Sequence, residues 1–356
     1  MKNVILIGAG CSRDNAEYLC SLGVPVLTTW QGIDLVPEDS PVFCGRPGVI
    51  GQRAANYIQQ HADRVYIFGA RMDGEQVAHR MDNFAPQAQK YIYEIDKAEI
   101  DKLPVTWFAH WVDLSRPLHV EIEADENWLK FCKTVYKEYR PELDGDGSIS
   151  DHIDPYYFVH KLSEYCQEGE IIVPSSSGMQ SCAMMQAFKV KQGQRIILAN
   201  TTGAMGFEPM AIGAAIATGQ RVVSIAGDGG FFMNMQELEV VKRERLPIKY
   251  FVFCNGGYGS IVSMQENRFA QRVGGDAESG FTLPDLARVA GVWGIPYQEI
   301  NSNAQMYRIK TVLDADGPVI VRVNSSLEFR YACKVEATLK DGVFVVDDMA
   351  DMSPKI

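Results

Sequence analysis

Histidine is scarce in this chain and badly placed for metal work. The six residues, His61, His79, His110, His119, His152 and His160, all precede residue 161, and no two cysteines stand in Cys-x-x-Cys spacing. That absence excludes a zinc ligand ladder. The eight cysteines are scattered singly, which reads as buried reduced thiols rather than a disulfide framework. The longest apolar stretches are broken by Gly, Pro, Glu or Thr, so the sequence offers no membrane span. Positive charge is in deficit, with 34 Lys and Arg against 45 Asp and Glu and a net charge of −11. This excludes a general nucleic-acid binder but leaves room for a small anionic ligand, whose site needs only local positive potential. There is no internal repeat and no low-complexity tract. The chain opens directly in an apolar run, 4–7, with no signal-peptide pattern ahead of it, so a cytoplasmic location is expected.

What the sequence does contain is alternation. Its 356 residues suffice for two or three compact domains, and 46 % hydrophobic with 22 % charged residues is ordinary for a globular α/β protein. In the first half, apolar runs at 4–7, 24–27, 64–68 and 91–95 are separated by helical or turn segments, the pattern of a parallel sheet. Gly8-Ala9-Gly10 follows the first run, but Arg13 stands where a dinucleotide fingerprint needs its third glycine. A structural tight turn is the better reading, and a nicotinamide dehydrogenase is set aside. A charged, turn-rich stretch at 141–154 predicts a linker between a domain at 1–140 and another at 155–356. The second domain begins with a helix over 155–167. Strands are predicted at 170–173, 195–199, 221–226, 248–253, 296–300 and 319–323, with helices at 205–218, 231–245 and 302–315 among them. The fold class is therefore α/β, with two doubly wound parallel-sheet domains.

The chemistry concentrates in two turns. Gly227-Asp228-Gly229-Gly230 follows one predicted strand, and Asn255-Gly256-Gly257-Tyr258 follows the next. The 27 positions from Asp228 to Asn255 hold one helix and one returning strand, so both turns emerge at the same sheet edge. Glycine lets backbone N–H groups crowd an anion, and a helix N-terminus adds a favourable dipole. Asp228, the Asn255 amide oxygen and a carbonyl near Gly257 form a hard-oxygen donor set suited to Mg²⁺ holding a diphosphate. Two further polar turns, 175–178 and 201–205, fall at the same edge.

These motifs resemble those of the thiamine-diphosphate enzymes, and the whole chain is similar to the central and C-terminal domains of the acetolactate synthase-like family. The resemblance rests on Val26-Leu27-Thr28-Thr29-Trp30-Gln31-Gly32, Pro47-Gly48-Val49-Ile50-Gly51 and Gly69-Ala70-Arg71 in the first half. In the second it rests on Gly203-Ala204-Met205-Gly206-Phe207 and the two turns above, extended through Gly259. A softer likeness, through 185–189 and the tail 347–354, points to members serving polysaccharide and deoxysugar pathways. The resemblance implies a Rossmann-like central domain followed by a diphosphate-binding domain. It implies Asp228, Asn255 and Gly257 as metal ligands, and Gly178, Met179, Gly203, Met205, Gly227, Asp228, Gly229, Gly230, Asn255, Gly257, Tyr258 and Gly259 around thiamine diphosphate. Met205 would prop the bent cofactor and the Gly203 carbonyl would accept from its amino group, the two positions closest to catalysis. Met179 stands where relatives carry an amide, so contact there would be through the backbone or Gln180.

The implied activity is a carboligase or decarboxylase (lyase or transferase) acting on pyruvate or another 2-oxo acid, with Ser260, Ile261, Met264, Gln265 and Arg268 facing the substrate. Family members begin with a further domain whose glutamate protonates the aminopyrimidine. Nothing before Val4 could encode it, so a split enzyme is expected, completed by a small pyrimidine-domain subunit in a hetero-oligomer with two of each chain; a chain truncated from a longer one is the alternative. Glu208 stands where relatives have a small residue; a helix first-turn glutamate stabilised by the dipole is the default for it, and a residue facing the cofactor cavity the alternative. FAD, which some relatives hold, is left open at Gly8, Gly69 and Arg71. A non-catalytic regulatory or scaffold protein of the same fold is the alternative.

Overall fold

The computed structural model describes residues 1–140, 151–175, 178–199, 205–340 and 343–352. It contains two compact units, one formed by Met1–Asp144 together with Ala332–Ile356, the other by Gly145–Tyr331. Each is built on a parallel sheet with flanking helices, as the alternating runs required.

In the first unit, strands β1 (Asn3–Ile7), β2 (Val26–Thr28), β3 (Arg64–Phe68), β4 (Gln89–Glu94) and β5 (Phe108–Trp111) lie in the order β2-β1-β3-β4-β5, every pair parallel. All five residues of β1 are buried, because helices cover both faces of a parallel sheet and its central strands read as unbroken apolar runs. Val4 and Leu6 pack with Ile58 and Trp128 on one face, Ile5 and Ile7 with Ala16 and Leu19 on the other. The chain reverses direction across the sheet between β1 and β3, and the turns after these strands close on each other. The Gly10 N–H donates to the Gly69 carbonyl at 2.9 Å, and a Cβ on Gly8 would sit 2.3 Å from that same oxygen. Arg71 pairs with Glu99 at 3.4 Å. The glycines considered for a flavin are thus required by the chain's own packing.

In the second unit, β6 (Ile171–Pro174), β7 (Arg195–Ile196), β8 (Val222–Gly227), β9 (Ile248–Cys254), β10 (Tyr297–Ile300) and β11 (Val319–Asn324) run parallel in the order β10-β11-β9-β8-β6-β7. The reversal falls between β6 and β8. The first helix, Pro155–Tyr165, starts as the sequence suggested, with Asp154 accepting from the N–H groups of Tyr156 and Tyr157. Most of the predicted linker, 141–150, lies outside the described residues.

Four sequence expectations are corrected. The helix predicted at 205–218 starts at Pro209, whose fixed φ suits the first helical position, so Met205 belongs to the preceding turn. The helix predicted over 231–245 is broken. A short turn Asp228–Phe231 leads into a 3₁₀ segment with non-helical backbone at Asn234, then the helix Leu238–Arg243, so no long helix dipole points at the Gly-Asp-Gly turn. Strand β5 was not foreseen. Finally, the tail placed in the second domain packs on the first unit. After the antiparallel hairpin β12 (Ala337–Lys340) and β13 (Val343–Val346), Met349 and Met352 are buried with Cys333, Val335 and Ala78. The Val335 N–H donates to the Val49 carbonyl at 2.7 Å, and Gln60 Nε2 reaches Asp348 Oδ1 at 3.2 Å. Met349→Ala should therefore destabilise the first unit by roughly 2–4 kcal/mol through the lost burial and the cavity left behind. Urea unfolding checks this, and an unchanged midpoint would detach the tail from that core.

Candidate functional site

The reversal between β6 and β8 places a crevice beyond the carboxyl ends of those strands, the general ligand position in open α/β sheets. Register pairs Gly227 of β8 with Phe253 of β9, so Asp228 and Asn255 leave the sheet side by side. A cleft of about 50 Å³ opens there. Ten of the twelve residues expected around a cofactor line it: Gly178, Met205, Gly227, Asp228, Gly229, Gly230, Asn255, Gly257, Tyr258 and Gly259. Met179 opens the helix behind Gly178, and Gly203 lies outside the described residues. Of the substrate-side candidates, Ser260 and Ile261 line the cleft. Met264 and Gln265 lie further along the helix Gly259–Phe269, where Gln265 is engaged with the backbone of Val273.

Asp228 organises the site. It is only 3 % exposed, and its carboxylate draws three backbone N–H groups together. Gly229 donates to Oδ1 at 2.8 Å, while Asn255 and Gly256 donate to Oδ2 at 3.0 and 2.8 Å. Asn255 Oδ1 accepts from the Gly257 N–H at 3.1 Å. Burial pushes the Asp228 carboxyl up to about 6 despite these donors, because among the described residues no cationic side chain pairs with it. Asp228 Oδ1 and Asn255 Oδ1 each accept a single bond and keep a lone pair. A buried carboxylate without a counter-charge beside an amide oxygen fits a hard divalent cation, which would supply the missing positive charge. Among the described residues no three His, Cys, Asp or Glu side chains converge, so no softer metal has a ligand set.

Tertiary contacts that no local signal announced hold these turns. A Cβ on Gly229 would lie 2.4 Å from the Tyr258 ring, so this glycine is required by close approach. Tyr258 donates its N–H to the Gly275 carbonyl at 2.8 Å and stacks on Phe281 at 4.2 Å, so the 275–281 loop supports it from below. The Met205 turn is tied down at three points. The Phe207 N–H donates to the Ser175 carbonyl at 3.0 Å, Asn234 Nδ2 donates to the Gly206 carbonyl at 2.6 Å, and Ser175 Oγ donates to Glu208 Oε1 at 3.0 Å.

Glu208 stands at the head of the helix, beside the first turn expected from sequence, but it is buried. It precedes Pro209, is 4 % exposed, and its Oε2 has no hydrogen-bond partner. Burial raises its carboxyl from an ordinary 4.5 to about 7, and the Tyr250 phenol on β9 is the titratable group facing it. For a raised acid, folded-state stability is intact below pH 4.5 and is lost as pH rises towards 7. Glu208→Gln should therefore match the wild type at pH 4.5 and exceed its stability by roughly 3 kcal/mol at pH 8. Urea unfolding of the cofactor-free chain across that range checks this, and parallel curves at both ends would refute it.

Comparisons with known proteins agree with this geometry. Residues 1–116 match the model of the thiamine pyrophosphate enzyme central domain, and residues 176–323 match that of the thiamine pyrophosphate enzyme C-terminal TPP binding domain. The chain is 30 % identical over 340 residues to acetolactate synthase 2 (chloroplastic) of Zea mays, covering 90 % of this chain and 53 % of that protein. It is 30 % identical over 334 residues to the acetolactate synthase isozyme 2 large subunit of Escherichia coli (strain K12), covering 91 % and 60 %, and 29 % identical over 341 residues to acetolactate synthase (chloroplastic) of Arabidopsis thaliana, covering 90 % and 51 %. The chain thus spans about half to three fifths of the length of these relatives. Two adjacent domain models and a run of similarity over nine tenths of the chain give one answer: it belongs to the thiamine-diphosphate-dependent, acetolactate synthase-like family, of which it carries the central and the C-terminal cofactor-binding domains.

Proposed function

We propose that this chain is the cofactor-holding part of a Mg²⁺-dependent carboligase or decarboxylase, a lyase or transferase acting on pyruvate or another 2-oxo acid. The observation that carries the reading is the buried Asp228 carboxylate, without a cationic partner among the described residues, beside Asn255 in a glycine-lined cleft at the sheet's reversal. Bound thiamine diphosphate would supply the electron sink that lets a 2-oxo acid lose CO₂ and pass its acyl unit to a carbonyl acceptor, a sugar included. Asp228, Asn255 and the Gly257 carbonyl would hold Mg²⁺, whose charge answers both the carboxylate and the diphosphate. Met205, on a turn tied to Ser175 and Asn234, would prop the cofactor's bend, and Ile261 and Ser260 would border the substrate. A reducing, cytoplasmic setting accords with the eight free cysteines.

Proton handling at the aminopyrimidine needs a further group. Asp228 and Tyr258 are the only titratable residues among the described lining of the cleft, and Asp228 is committed to the metal. The same proposal therefore places the activating glutamate on a pyrimidine-binding domain outside this chain, carried by a small separate subunit in an assembly with two of each.

Asp228→Ala should abolish Mg²⁺-dependent binding of thiamine diphosphate in isothermal calorimetry, and unchanged affinity would overturn the ligand assignment. Met205→Ala should leave that affinity intact while lowering turnover, since only the prop beneath the cofactor is lost. Decarboxylation of a panel of 2-oxo acids should require both this chain and the pyrimidine-domain polypeptide. Full turnover by this chain alone would sink the two-polypeptide reading without touching the metal site.

A further inference from the structure

The outer edge of the first sheet is left in an unusual state. Parallel sheets are ordinarily covered on both faces, and exposed strand edges are blunted by charge, proline or brevity. The opposite edge of the same sheet, β2, is sealed by its own chain, with the Val26 N–H donating to the Val42 carbonyl at 2.8 Å and the Cys44 N–H to the Val26 carbonyl at 2.7 Å. In the other unit the edge strands are β7, two residues long, and β10, which carries Gln298 and Glu299. Strand β5 is four residues long but carries neither charge nor proline. Its sequence is Phe-Ala-His-Trp, all four residues are exposed, and no other strand among the described residues pairs with its outer side.

Two rows of stacked rings run across the sheet and stop at this edge. Tyr66, Tyr91 and Phe108 stack at 4.9 Å per step, with interplanar angles of 12° and 16°. Phe68, Tyr93 and His110 stack at 4.6 Å per step, at 12° and 13°. Tyr66 and Phe68 are buried, whereas Phe108 is 50 % exposed. On the other face Trp111 is 74 % exposed, and its Nε1–H donates to the Ile95 carbonyl at 2.7 Å. The backbone phase is also set. The Val112 N–H donates to the Glu94 carbonyl of β4, so alternate residues turn inward and Ala109 and Trp111 direct their N–H and C=O groups to the open side.

We propose that β5 is a homotypic interface at which two copies of this chain pair antiparallel about a two-fold axis through Ala109, joining their sheets into one. In that register Ala109 exchanges both backbone bonds with its symmetry mate, as its outward phase requires. Phe108 then faces His110 of the second copy, so each ring row of one sheet continues into the other row of its mate. No Lys, Arg, Asp or Glu lies in β5 to repel its own copy across the axis. The exposed side chains of Ile95, Phe108 and Trp111 with the edge backbone offer on the order of 450 Å² per copy. A pair would therefore bury on the order of 900 Å², the size of a weak, concentration-dependent association.

Sedimentation of the full chain, with no cofactor or second polypeptide present, tests this. The wild type should sediment at twice 39.6 kDa. Phe108→Lys, which sets like charges near the axis, and Ala109→Pro, which removes the outward N–H, should each weaken association at least tenfold with native far-UV circular dichroism. Ile216→Lys, at an exposed apolar residue of the other unit, should leave it unchanged. Hydrogen exchange on the wild type provides a readout independent of any variant's folding: the Ala109 and Trp111 amides should become protected as concentration rises. A monomeric wild type, association that survives both β5 variants, or exchange at these amides independent of concentration would each overturn the proposal.

Discussion

The burial of one carboxylate organises the cofactor-binding unit. Asp228 stands at the end of β8 with almost no solvent access and no positive side chain beside it among the described residues, so its charge must be met by backbone dipoles. Three N–H groups from two different turns converge on it, which obliges the turns after β8 and β9 to come together. Their closeness leaves no room for a Cβ on Gly229 against Tyr258, and Tyr258 in turn rests on Gly275 and Phe281. The local architecture follows from stabilising one anion where water cannot reach it. The anion remains under-compensated, and the proposed Mg²⁺ site rests on that residual deficit.

The two units use the same topological device to different ends. Each sheet reverses its winding once, and each reversal opens a crevice beyond the strand ends. In the first unit the turns after β1 and β3 touch, Gly8 and Gly10 lying directly against Gly69. In the second the corresponding turns stand apart around a cleft, and polar groups are drawn into it. Glycine marks both places, so its presence alone does not separate a binding turn from a packing turn. What separates them is the acidic residue beside the glycines in one case and the opposing backbone in the other.

Glu208 shows the same physics without a ligand. It stands at the head of the helix Pro209–Thr218, where a carboxylate would ordinarily be solvated and favoured by the dipole. The sheet beneath brings Ser175 and Tyr250 against it instead, and burial favours its neutral form. A residue that locally resembles a surface cap thereby becomes part of the polar tie holding the Met205 turn.

The sequence by itself determined most of the strands, the doubly wound class of both sheets and the turns that meet at the cleft. Strand formation and turn chemistry are local: continuous apolar runs such as 248–253 leave few alternatives, and the 27-residue interval from Asp228 to Asn255 allows one helix and one return. Ten of the twelve residues expected around a cofactor meet in one cleft for that reason. Three features were decided only by tertiary structure. They are the docking of the tail on the first unit through Met349 and Met352, the existence of β5, and the depth at which Glu208 lies. Each depends on which surfaces meet across long stretches of chain. The tail is recorded locally only as a few methionines among acidic residues. Phe108–Trp111 has no apolar alternation, because neither of its faces is covered. Burial of a carboxylate is a property of the neighbours that close over it, and those neighbours, Ser175 and Tyr250, are 33 and 42 positions away from Glu208.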